Sequence, residues 1–191
     1  VLLVNRGPAN VSAGAALSKR SDRRSFEDAV NNLKGENCLV ILLDGITDPH
    51  NYGAVLRSAD QFGVSLVVTG ARRSVSESDT VARTSAGAVS YVDTIVVKNL
   101  SRAVEYLKKS GFWVYSAEMN GSPVDTLDLK GRTAIVMGSE GRGVSRLLTE
   151  KCDGSISIPV SGNIDSLNVS VAAGIIIYEV RRQQRSTHIS Q

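Results

Sequence analysis

Short apolar runs alternate along the chain with stretches in which apolar residues recur three or four positions apart. The clearest run, residues 38–43, is uninterrupted and ends in Asp44-Gly45, the pattern of a strand covered on both faces in a parallel sheet. Tyr52, Val55, Leu56, Ala59 and Phe62 then supply one apolar face of a helix, which Gly63 stops ahead of a second strand at residues 64–69. This is a β-α-β unit. The alternation continues with a small helix around residues 79–86, a strand at 94–97, a helix at 100–109 and strands at 112–117 and 134–137. A short helix at 144–150 and a last strand at 155–158 complete it. Ahead of the first strand, Phe26, Ala29, Val30 and Leu33 fall at helical spacing, with Ser25 placed to cap the start and Gly35 to end the turn. Buried strands alternating with helices predict a doubly wound α/β domain, a mostly parallel sheet with helices on both faces.

The final helix, expected over residues 168–184, is apolar on most of its circumference through Val169, Val171, Ala172, Ala173, Ile175, Ile176, Ile177 and Val180. A surface helix shows a single stripe, so this one is expected to be covered on more than one side, by its own core or by a second subunit. Residues 5–24 mix Gly, Pro, Ser, Ala and basic side chains without a period. The chain therefore divides into a flexible basic linker (1–24), one domain (25–185) and a tail (186–191).

Composition adds bounds. With 191 residues, 42% hydrophobic and 21% charged, the chain fits one soluble domain with a real core. A formal charge of +3 leans towards a polyanionic partner. The basic residues cluster as Lys19, Arg20, Arg23 and Arg24, and again as Arg181, Arg182 and Arg185, although a solvated surface or tail is the better reading of each run by itself. Cys38 and Cys152 stand far apart, which gives neither a zinc ribbon nor a disulfide framework and fits a reducing cytoplasm. The apolar stretch at 169–180 falls short of a bilayer span. The chain opens on Val1 rather than Met, as a fragment or processed form would.

Three polar constellations interrupt the pattern, each directly after a strand. The first is Asp48-Pro49-His50-Asn51-Tyr52-Gly53-Ala54-Val55-Leu56-Arg57. Open α/β sheets bind ligands at the carboxyl ends of their strands, so polar residues here are placed for work. Asn51 is expected near the helix start, with Arg57 about two turns further on. Helix capping by Asn51 and a surface charge at Arg57 explain the same residues without chemistry. In the second, Met137-Gly138-Ser139-Glu140-Gly141-Arg142-Gly143, three glycines let the backbone turn and approach a ligand while Glu140 offers a carboxylate. It is neither a Walker loop nor a dinucleotide fingerprint. The third runs Ile158-Pro159-Val160-Ser161-Gly162-Asn163-Ile164-Asp165-Ser166-Leu167-Asn168-Val169-Ser170, with Ser166 and Asn168 at the start of the long apolar helix. Capping alone explains either one.

In this order and spacing, the three segments resemble the signature motifs of the SpoU, or TrmH-like, RNA ribose 2′-O-methyltransferases of the SPOUT superfamily. The likeness covers roughly residues 39–184 and is greatest to bacterial enzymes that methylate a guanosine ribose in large-subunit rRNA. The resemblance implies a C-terminal deep trefoil knot, a topology that ordinary rules exclude, and S-adenosylmethionine as cofactor. Carried over by position, it puts cofactor contacts on Gly138, Ile158 and Leu167, with Met137 as a neighbour, where Gly138 allows close approach and Ile158 and Leu167 offer adenine an apolar wall. It places Arg57 and Asn51 beside the ribose hydroxyl, with Glu140, Ser166 and Asn168 completing the site; Glu140 is in addition a candidate to hold and orient Arg57. Arg57 has the family role of base, but a guanidinium that stays charged serves at least as well by stabilising an alkoxide or a phosphate. The resemblance further implies an RNA partner, rRNA ahead of tRNA, a homodimer through the last helix, and no metal or membrane. Relatives commonly carry an N-terminal RNA-recognition domain, which is expected to be missing ahead of the linker.

Two other classes compete. A silent RNA-binding or ribosome assembly factor of the same fold has no need for Asn51, Arg57, Glu140, Ser166 and Asn168 together. A nucleotide-dependent oxidoreductase needs a glycine fingerprint where Asp44-Gly45-Ile46-Thr47-Asp48 stands.

Overall fold

The computed structural model describes residues 24–71, 91–162 and 166–186. Strands β1 (Cys38–Asp44), β2 (Leu66–Gly70), β3 (Thr94–Val97), β4 (Trp113–Pro123), β5 (Arg132–Gly138) and β6 (Gly154–Ser157) form one sheet. Their order is β3-β2-β1-β5-β4-β6, and every pairing between them is parallel. Helices α1 (Phe26–Asn31), α2 (Pro49–Gln61), α3 (Leu100–Lys109), α4 (Arg146–Thr149) and α5 (Val169–Ser186) cover it.

The period of two in β1 decides which helix lies where. Leu39, Ile41 and Leu43 pack with Val55, Leu56 and Ala59 of α2 and Ala173, Ile176 and Ile177 of α5. Cys38, Val40 and Leu42 face the other way, onto Ala29 and Val30 of α1, Val104 and Leu107 of α3 and Leu148 of α4. Both faces are thus buried, as the unbroken apolar run requires. The chain builds β2 and β3 on one side of β1 and β4 to β6 on the other, so the order reverses between β1 and β5. A crevice opens at such a switch point, at the carboxyl ends of the strands.

Most expected elements are present within a residue or two. Ser25 caps α1 by accepting from the Asp28 N–H at 3.0 Å. The largest difference is β4, which continues to Pro123 instead of stopping at residue 117. Ala117 and Ser122 both pair with Ile156, so residues 118–121 bulge out and pairing resumes beyond them. Gly121 closes the bulge, because a Cβ there would stand 2.5 Å from the Ile156 carbonyl carbon. The small helix expected around residues 79–86 lies outside the described residues, as do Lys19, Arg20 and Arg23. Arg24 pairs with Asp93. The second basic run is engaged within α5 and its neighbours. Arg181 bonds the Gly63 carbonyl and, at 2.7 Å, Gln184, while Arg182 bonds Glu179 at 2.7 Å. No described helix is long and apolar enough to cross a membrane.

Helix α5 is covered by its own domain on one side only. Val169, Ala173, Ile176, Ile177 and Val180 are buried, whereas Val171, Ile175 and Tyr178 remain 50%, 40% and 48% exposed. Against α2, a Cβ on Gly174 would stand 3.5 Å from Ser58 Oγ, and Tyr178 meets Phe62 edge to face with centroids 5.7 Å apart. The far end of α5 is pinned by amides. Gln183 accepts from the Leu129 N–H at 2.9 Å, and Gln184 donates to the Gly131 carbonyl at 2.9 Å. Gln184 is almost wholly buried, so removing its amide loses a buried bond and leaves the Gly131 carbonyl with the Cys38 N–H alone, at 3.2 Å. Gln184→Ala is expected to lower stability by roughly 1–3 kcal/mol, read as a lower urea midpoint at an unchanged slope.

Candidate active site

The carboxyl ends of β1, β5 and β6 bring the three polar segments together. At the first, the α2 cap is Asp48, whose carboxylate accepts from the His50 N–H at 3.0 Å while Pro49 opens the turn. Asn51 is therefore free of capping. Its buried amide instead donates from Nδ2 to Glu140 Oε1 at 3.2 Å. Asn168 joins both. It caps α5 through Oδ1, accepting from the Ser170 N–H at 3.0 Å, and its Nδ2 donates to Asn51 Oδ1 at 2.9 Å and to Glu140 Oε1 at 2.5 Å. Each of the three segments contributes one member of this tripod.

Glu140 reaches the tripod from a tight bend. The Gly143 N–H returns to the Ser139 carbonyl at 2.9 Å, and Gly141 and Gly143 adopt φ of 80° and 65°. Gly138 sits under that return, where a Cβ would fall 1.9 Å from the Gly143 carbonyl carbon. Only glycine fits.

Beside the tripod lies a cleft of about 360 Å³. One wall is the bend, Met137 to Gly143; another is apolar, with Ile156, Ile158, Val160 and Leu167; the third is Ala117, Glu118 and Met119 from the β4 bulge. Val160 is 59% and Leu167 40% exposed, so a large apolar surface stands open to the cleft. A volume of this size with apolar walls, backbone groups and a few polar side chains suits a nucleoside-sized ligand.

The model of the SpoU rRNA methylase family matches residues 38–178, which spans every strand and all three segments. The chain belongs to this family. A Staphylococcus epidermidis protein assigned to the TrmH family of tRNA/rRNA methyltransferases is 47% identical over 174 residues, covering 89% of this chain and 70% of the relative. A tRNA/rRNA methyltransferase of Borreliella burgdorferi, not further characterised, is 42% identical over 166 residues, covering 86% and 73%. Among solved structures, the SpoU methyltransferase AviRb of Streptomyces viridochromogenes, in complex with the cofactor AdoMet, superposes with a TM-score of 0.74 at 26% identity over 83% of this chain and 60% of that one. An RNA 2′-O ribose methyltransferase gives a TM-score of 0.74 at 28% identity over 87% and 61%. The chain spans about three fifths of the length of these solved structures.

Within the SpoU framework, the structure gathers most of the residues expected from sequence. Met137, Gly138, Ile158, Leu167, Glu140 and Ser166 line the cleft, and Asn51 and Asn168 stand behind Glu140. Arg57 is the exception. It is exposed on α2, about 9 Å along the axis from Asn51 and roughly a third of a turn around it. It makes no ion pair with Glu140, which the two asparagines hold instead. Within one chain, Glu140 therefore does not orient Arg57. Sequence reading missed Glu118 and Met119; Gly121 within a strand-like run was the available signal of a bulge.

Proposed function

We propose that this chain transfers a methyl group from S-adenosylmethionine to a ribose 2′-hydroxyl of structured RNA, with a guanosine of large-subunit rRNA as the preferred target. The observation that carries the reading is the Asn51–Glu140–Asn168 tripod at the edge of an apolar, nucleoside-sized cleft. S-adenosylmethionine, bound in the cleft, supplies an electrophilic methyl group. Met137, Gly138, Ile158 and Leu167 hold its adenosine part by backbone approach and apolar contact, and Ser166 lines the rim. The trefoil knot belongs to this proposal.

The chain's own residues divide the remaining work. Asn51 and Asn168 both donate to Glu140 Oε1, and Oε2 receives no hydrogen bond from a described residue. We assign Glu140 Oε2 as the acceptor for the proton that the 2′-hydroxyl gives up. A guanidinium stays charged at neutral pH, so Arg57 serves as a fixed positive charge beside the developing alkoxide or a neighbouring phosphate. Because Arg57 lies on the exposed side of α2, we place it opposite the cleft of a second copy, docked through the exposed Val171, Ile175 and Tyr178 of α5.

The test uses labelled cofactor with rRNA and with tRNA from cells lacking the gene, followed by mapping of ribose methylation. One methylated rRNA guanosine is expected; label in tRNA alone would move the target, and none in either would favour a silent RNA-binding factor. RNA affinity is expected to fall steeply between about 50 and 200 mM salt as phosphate contacts release counterions. A flat response in a filter-binding series would remove RNA from the proposal.

A further inference from the structure

The β4 bulge puts into the cleft a carboxylate that the reading above leaves without a role. Glu118 Oε1 accepts from Thr149 Oγ1 at 2.9 Å, which ties the side chain to the end of α4. Among the described residues nothing donates to Oε2, which lies 3.8 Å from where a Cβ on Gly143 would stand. The other acid of the cleft, Glu140, is held at Oε1 by Asn51 and Asn168, and its open Oε2 is assigned above to the proton of the methyl acceptor. A half-buried acceptor with one oxygen anchored and one open is built to receive a donor from a ligand.

Its position says which donor. Strand β5 separates β4 from β1, so the carboxyl end of β1, which leads into the helix of Asn51, stands two strand spacings from β4, about 10 Å. A methyl donor whose reactive carbon lies at the tripod extends its other end along β4 and β6, beside Ile156 and Ile158. The adenine takes that apolar surface. One bond away from it, the ribose presents two adjacent hydroxyls, and a carboxylate accepts from such a pair.

Resting on the cofactor reading above, we propose that Glu118 binds the 2′- and 3′-hydroxyls of the cofactor's own ribose, with Thr149 as the positioning residue that fixes it. The cleft then selects a ribonucleoside over a deoxynucleoside at the donor.

Calorimetric titration of the full chain with three probes tests this: S-adenosylhomocysteine, its 2′,3′-dideoxy analogue and its analogue lacking the α-amino group. The unaltered protein is expected to favour the parent compound over the dideoxy analogue by roughly tenfold or more. Glu118→Gln is expected to remove most of that preference, weakening the parent while leaving the dideoxy analogue within about twofold. Thr149→Val, which keeps the carboxylate but frees it, is expected to narrow the same ratio by less. Retention of the full ratio in Glu118→Gln, or loss of discrimination against the deaminated analogue instead, would overturn the assignment and leave the cofactor reading standing. Failure of the unaltered protein to bind S-adenosylhomocysteine would overturn both.

Discussion

Arg57→Ala is expected to lower the rate of methyl transfer by about 10²–10³, the cost of removing one donor aimed at developing negative charge. Binding of S-adenosylhomocysteine is expected to stay within about twofold, since Arg57 does not line the cleft. A single-turnover rate with bound RNA separates these effects, and a normal rate would end the assigned role. The placement of Arg57 across a dimer adds a sharper expectation. Mixed with a variant disabled in the cleft, Arg57→Ala is expected to regain measurable turnover, because one of the two composite sites then holds both intact parts. No regain at any mixing ratio would put Arg57 and the cleft of the same chain to work together. Light scattering supplies the companion measurement, with a monomer at micromolar concentration counting against the dimer.

Gly138→Ala is the second large effect, and here structure and binding fail together. The added Cβ would overlap the Gly143 carbonyl carbon at 1.9 Å, a clash with backbone that no side-chain rotation relieves. To make room, the return from Ser139 to Gly143 must open, and with it the wall that carries Glu140. A loss of about 3 kcal/mol is expected, or roughly 10 °C in Tm for a domain of this size, with S-adenosylhomocysteine binding no longer detectable. A variant that melts normally and binds would show that the bend has a looser alternative. Gly141→Ala provides the contrast. Nothing lies within 4 Å of its Cβ position, so only the positive φ resists the change and binding is expected to survive.

The sheet was legible in the sequence because its central strands β1, β2 and β5 are buried on both faces. That condition forces continuous apolar runs such as residues 38–43, and helices of period 3.6 between them leave little ambiguity. The order of the strands was not legible, since nothing local in residues 132–138 says that they insert between β1 and β4. Of the candidate site, residue identities and motif order could be read, whereas the hydrogen bonds could not. Asn168 reads as a cap or as a site residue, and it is both, because an amide carries an acceptor and a donor pointing apart. The partners of Glu140 within the chain were hidden for a related reason. Charge favours Arg57 on paper, but helix α2 turns that side chain away and presents Asn51. Glu118 escaped notice because a four-residue bulge conceals itself in sequence as the end of a strand.

The tripod ties residues 117 positions apart, and its last member stands at the head of the final helix. A ribosome makes that helix after every other element of the sheet and the cleft described above. Until then Asn51 lacks Asn168, the cleft lacks the lining of Val169, Ala172 and Ile176, and Gln183 and Gln184 are not yet present to hold the residues that lead into β5. Synthesis of an average domain takes on the order of ten seconds or more at cellular elongation rates. Throughout that interval the tripod stays incomplete, and it forms only when α5 docks.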